Sequence, residues 1–103
     1  MDRIGMLKSF LERNPRDSFC RHALAMEWVK RGDDSAAREE LEALLEDDPD
    51  HAGSYYHLGK VMERQGDIEA AIAVYNRGID AADRTGDAHA ARELRQALEA
   101  LED

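Results

Sequence analysis

Residues 52–83 read AGSYYHLGKVMERQGDIEAAIAVYNRGIDAAD, and residues 18–49 read SFCRHALAMEWVKRGDDSAAREELEALLEDDP. Laid over one another at an offset of 34 residues, the two stretches agree where a packed helix pair is most constrained. Leu24 meets Leu58, Ala25 meets Gly59, Gly32-Asp33 meets Gly66-Asp67, Ala36-Ala37 meets Ala70-Ala71, and Leu41 meets Tyr75. Pro15 and Pro49 keep the same spacing. Within each copy the apolar residues recur at helical intervals. In the second copy these are Tyr55, Leu58, Val61 and Met62, then Ala71, Ile72, Val74, Tyr75, Gly78, Ile79 and Ala82. Gly-Asp separates the halves, the glycine as a helix stop and the aspartate as the next N-cap. Each half is about 14 residues, roughly 21 Å of helix, and the short link makes neighbours antiparallel. Gly59 and Ala71 are small because two helix backbones approach there.

The flanks extend the pattern. Residues 2–14 end at Pro15 in phase, with Leu7, Phe10 and Leu11 as an apolar stripe, and read as the second helix of a truncated preceding unit. Residues 87–102 carry Ala91, Leu94, Leu98 and Leu101. Strict phasing would bury Arg92 and Glu93 there. A two-residue shift buries Leu94 and Leu98 instead, so a longer connection is expected near Arg84-Thr85-Gly86, with Asp87 as N-cap. The expectation is an all-α, single-domain array of about six helices over residues 1–103. It comprises a partial-repeat helix at 2–14, repeats at 18–51 and 52–85, and a capping helix at 87–102.

The chain suits one core at 103 residues, and its 43% apolar content is that of a folded domain. The net charge of −9 disfavours nucleic acid and anionic membrane as partners. No apolar run is long enough to span a bilayer, and the N-terminus lacks the apolar core of a signal peptide. The single Cys20 cannot form an internal disulfide, which fits a reducing compartment, so a cytoplasmic location is expected. Many carboxylates and only three lysines would suit a high-salt cytoplasm, or simply an acidic helical protein.

The pattern resembles the tetratricopeptide repeat family, whose 34-residue helix–turn–helix carries W-x-x-L-G-x-x-Y, A-x-x-x-F and P. The second unit supplies Tyr55, Leu58, Gly59, Met62, Ala71 and Tyr75, with Asp83 in place of the proline. The first supplies Arg21, Leu24, Ala25, Trp28, Ala37, Leu41 and Pro49; Arg21 replaces the usual aromatic, and a weaker contact with the preceding helix is expected there. The resemblance implies a right-handed α-solenoid. It also implies a concave surface, lined by the first helix of each repeat, that binds a polypeptide segment. Carried over, the groove positions are Phe19, His22, Met26 and Val29, then Gly53, Tyr56, His57, Lys60 and Glu63, then His89, Arg92 and Gln96. This set holds three of the four histidines and two of the basic residues of an acidic chain. The expected ligand is a protein or peptide with an acidic side chain or C-terminal carboxylate. Tyr56 and Phe19 would anchor it, Lys60 and Arg92 would pair its charge, and His22 and His57 would donate hydrogen bonds. The subclass that clamps acidic chaperone tails with lysine and asparagine is not matched, since those positions hold His22, Met26, His57 and Asp87 or His89.

Other constellations carry less. Asp47, Asp48, Asp50 and His51 share a turn without EF-hand spacing and read as solvated charge. His22 and Met26 stand one helical turn apart, a spacing that suits copper but is better read as groove packing. Cys20 has no activating environment. No phosphate loop, nucleophile elbow or His-Glu metal motif is present, so neither catalysis nor a cofactor is expected. A monomeric adaptor is the main expectation. The alternative is a homo-oligomeric scaffold joined through the groove or through end-helix residues such as Phe10 and Leu11.

Overall fold

The computed structural model describes residues 2–102, which form six α-helices and no strand. They are α1 (Arg3–Arg13), α2 (Ser18–Lys30), α3 (Asp34–Asp47), α4 (Ala52–Arg64), α5 (Ile68–Thr85) and α6 (Ala88–Glu102). Aspartate starts most of them. The carboxylates of Asp2, Asp17, Asp33, Asp67 and Asp87 each accept from the backbone N–H three residues on, satisfying an amide the helix itself leaves free. The turns before α3, α5 and α6 use a glycine in the left-handed region, Gly32, Gly66 and Gly86, followed at once by the capping aspartate. The Gly-Asp reading of the links therefore holds at atomic level.

Consecutive helices pack antiparallel, and the core runs as one layer through α3, α4, α5 and α6. Leu41, Leu44, Leu58, Val61, Tyr75 and Leu94 are fully enclosed. Gly59 and Gly78 set the closest approaches. A Cβ on Gly59 would fall inside the Tyr75 ring, and one on Gly78 would lie 2.5 Å from Tyr55 Cβ. The two-residue shift is correct: Leu94 is buried and Leu98 packs against the core. The extra residues do not form a longer loop, however. With Asp83 where the repeat pattern has proline, α5 continues through Thr85 and absorbs them as helix, reaching 18 residues.

Repeat 1 differs from repeat 2 where Arg21 replaces the aromatic. Tyr55 is buried and its hydroxyl donates to the Pro49 carbonyl at 2.7 Å. Arg21 turns instead to Asp47 at 2.8 Å. That leaves a cleft of about 380 Å³ between α1 and α3, lined by Lys8, Leu11, Glu12, Pro15, Arg21, Leu24 and Glu40.

Helices α1 and α6 stand at the two ends of the described array. In α1 only Ile4 is buried, while Phe10, the register equivalent of the enclosed Leu44, is 44% exposed. Part of the expected α1 stripe thus faces solvent. Where Ala37 and Ala71 admit a partner helix, α1 has Arg3, paired with Glu27 at 3.7 Å. Where Ala25 and Gly59 do so, α6 has Arg95, paired with Asp83 at 2.9 Å. A long cation at each small-residue position keeps a further helix from docking in register.

Candidate functional site

The first helices α2, α4 and α6 present the stripe that the repeat register assigns to the concave face. Phe19 stands 80% exposed at the start of α2, a large aromatic in water. His22, Met26 and Val29 are half-buried along the same helix. On α4, Tyr56, His57 and Lys60 are half-buried, and on α6, His89 and Arg92 are exposed.

Side-chain geometry gathers the middle of this set and leaves its ends apart. The His22 and His57 rings meet edge to face, centroids 5.0 Å apart, and Tyr56 meets His57 in the same way at 5.4 Å. Lys60 Nζ lies 5.5 Å from the Tyr56 ring centre, a cation–π arrangement. Across from Tyr56 and Lys60, α6 contributes Glu93, Gln96, Ala97 and Ala100, and together they line a pocket of about 230 Å³. Gln96 was read into the stripe from the sequence. Glu93, Ala97 and Ala100 were not. His89 does not line this pocket; it faces Glu93 at 3.6 Å.

The electrostatics of the face are mixed rather than basic. Lys60 Nζ lies 3.6 Å from Glu63, and the same carboxylate accepts the hydroxyl of the enclosed Tyr75. Burial and Glu63 push the Tyr75 hydroxyl up, so it stays a donor. Burial lowers His22 to about 4, with His57 and His51 adding to the effect. Burial also lowers His57, partly countered by Glu93 on α6. Both imidazoles are therefore neutral at neutral pH. His22 Nδ1 is turned inward to the hydroxyl of buried Ser54 at 2.9 Å, and the Nδ1 of His51 reaches that hydroxyl at 2.7 Å. The sequence reading missed Ser54. The signal available was its place opposite Cys20 in the register, one turn from each of two histidines.

The acidic turn is internally paired. Asp47 takes Arg21, Asp48 accepts the Ser18 hydroxyl at 2.7 Å, and Asp50 takes Arg84. Among the described residues no cluster of three or more His, Cys, Asp or Glu is arranged to hold a metal ion. Burial and Asp17 raise the Cys20 thiol, opposite to what an activated nucleophile needs. No helix among the described residues is long and apolar enough to cross a membrane.

Comparison with known proteins agrees with this architecture. A tetratricopeptide repeat family model matches residues 22–87. The chain is 27% identical over 99 residues to a TPR repeat-containing protein of Pseudomonas aeruginosa, covering 96% of this chain and 94% of that one. The crystal structure of a tetratricopeptide repeat domain protein from Salinibacter ruber is 42% identical. It superimposes with a TM-score of 0.80 over 84% of this chain and 96% of its own. The solution structure of a Bordetella parapertussis protein, 26% identical, gives a TM-score of 0.84 over 99% of this chain and 89% of that one.

Proposed function

The chain belongs to the tetratricopeptide repeat family, and from that premise we propose that it is a non-catalytic adaptor that holds a partner polypeptide segment along α2, α4 and α6. The observation that carries the reading is the pocket between α4 and α6, with Tyr56, Ala97 and Ala100 as apolar wall and Lys60, Glu93 and Gln96 as polar groups. A pocket of this size takes one side chain, not a small-molecule substrate. Tyr56 and the exposed Phe19 supply aromatic anchors, the residue type that dominates binding energy at protein interfaces. An acidic side chain or C-terminal carboxylate of the segment meets Lys60 and the exposed Arg92, while Gln96 and Glu93 bond its backbone amides. The adaptor works as a monomer, and Arg3 and Arg95 oppose in-register docking of a second copy's helix at either end of the array.

A displayed peptide library tests this. Binders are selected on the wild-type chain and then screened against the Tyr56→Ala, Lys60→Ala double variant, with its fold checked by circular dichroism. Selected peptides should shift amide resonances of α4 and α6 and lose at least about tenfold in affinity on the double variant. Peptides that bind both chains equally, or that shift α3 and α5 instead, would move the site off the concave face.

A further inference from the structure

Two of the four histidines meet on one hydroxyl, and a third packs against one of them. Ser54 is the one fully buried polar side chain among the described residues. Its Oγ lies 2.9 Å from Nδ1 of His22, on α2, and 2.7 Å from Nδ1 of His51, at the start of α4. The His57 ring meets His22 edge to face, and the His22 and His51 ring centres are 5.6 Å apart.

A serine hydroxyl owns one proton. It donates to one imidazole and accepts from the other, so the bridge is complete when both rings are neutral and survives one added proton. With both rings protonated, both donate into the Ser54 oxygen. The serine hydrogen is then left without an acceptor in a buried place, and two cations face each other at close range. His51 makes no other cap to α4, whose first amides receive no side-chain acceptor from it. The His51–Ser54 half of the bridge lies within the first turn of α4, and the His22–Ser54 half ties that turn to α2.

We propose that the His22–Ser54–His51 bridge, with His57 packed upon it, is an acid-sensitive latch that holds α2 against α4 while its imidazoles are neutral and lets the concave face open when they protonate. As regulation of binding it rests on the adaptor reading above, but the latch itself is a property of the free chain.

The surrounding charges favour this role. His57 and His51 are the charges that act on His22, and both would repel a proton there. His57 feels Glu93 from α6, which favours a proton, and Arg64 of its own helix, which opposes one. On α3, Asp47 is held by Arg21 and Asp48 by the Ser18 hydroxyl; against α5, Glu63 is held by Tyr75. No carboxylate within the cluster neutralises a second proton. His57 stands beside the pocket that Glu93 lines, and the bridge gives way once both of its rings carry a proton.

Amide hydrogen exchange on the full chain, without ligand, tests the latch. Protection of α2 is read against that of the α5 core in the same molecule at about pH 7 and about pH 4, which cancels the intrinsic pH dependence of exchange. In the wild type, α2 should lose about tenfold more protection than α5 on acidification. His22→Gln still offers Ser54 a hydrogen-bonding group but cannot titrate, and it should keep the pH 7 ratio at about pH 4. An unchanged α2-to-α5 ratio in the wild type, or an equal loss in His22→Gln, would overturn the proposal. Because no peptide is present, failure to find a groove ligand leaves this result standing, and the reverse also holds.

Discussion

Adding one methyl group to Gly59 should destabilise the protein, while adding one to Gly53 on the same helix should not. Helix propensity alone favours alanine at both, by up to about 1 kcal/mol in a helix interior and less near an end such as Gly53. Packing separates them. A Cβ at Gly53 meets nothing within 4 Å, whereas one at Gly59 falls within the ring of Tyr75. That ring is fully enclosed and its hydroxyl is tied to Glu63, so it cannot swing aside without breaking the bond and disturbing α4 and α5 together. Overpacking costs about 1–3 kcal/mol, and loss of a buried hydrogen bond adds about 1 kcal/mol more. Against the propensity gain, the net for Gly59→Ala is about 2 kcal/mol of destabilisation. For a domain of this size that lowers Tm by about 10 °C. Thermal and urea unfolding of both variants and the wild type, followed by helical circular dichroism, measures the contrast. A Gly59→Ala chain as stable as Gly53→Ala would mean that α4 and α5 are not in contact through this face, and the repeat packing would be wrong.

Other expectations follow from the same coordinates. Arg21→Tyr should fill the cleft between α1 and α3 and allow a hydroxyl bond to the Pro15 carbonyl, as Tyr55 makes to Pro49. Cavity filling of this kind gains about 1 kcal/mol, and an unchanged urea midpoint would show that the cleft does not accept the ring. Stability should fall as pH drops from about 6.5, the unfolded imidazole value, towards about 4, the value for His22 in the fold. Over that window the unfolded chain binds a proton that the folded one refuses, and above it the His22 contribution is complete. The His22→Gln variant should show a flatter Tm–pH profile, and a profile parallel to the wild type would exclude His22 as the source. Finally, Arg3→Ala with Arg95→Ala restores small residues where two helices can approach, so light scattering should detect end-to-end association in the double variant and none in the wild type. A double variant that stays monomeric at high concentration would remove the arginines as the barrier.

The helix pairs, their phase and most of the core are legible along the chain. These depend on local pattern: apolar residues at helical spacing, Gly-Asp punctuation and small residues at one register position. Each signal occurs twice at the same offset, so Leu24 with Leu58 and Ala25 with Gly59 identify the packed face before any coordinate is known. The same pattern placed Leu94 in the core of α6 through the two-residue shift, although it could not tell that α5 would absorb those residues as helix. Much of the character of the concave face belongs to tertiary structure. Lys60 can reach Glu63 one turn along its own helix, a pairing the spacing already allows, but that Glu63 is also held by Tyr75 from the next helix is decided by packing. His22 reads as an outward hydrogen-bond donor, yet its Nδ1 turns to Ser54, 32 positions away. Glu93 stands opposite Tyr56 because of how α6 rotates against α4. Periodicity fixes which residues share a face, because that follows from the geometry of one helix. Which charges cancel and which imidazoles are shielded from water depends on rotamers and partners supplied by other helices, and those distances exist only once the helices have packed.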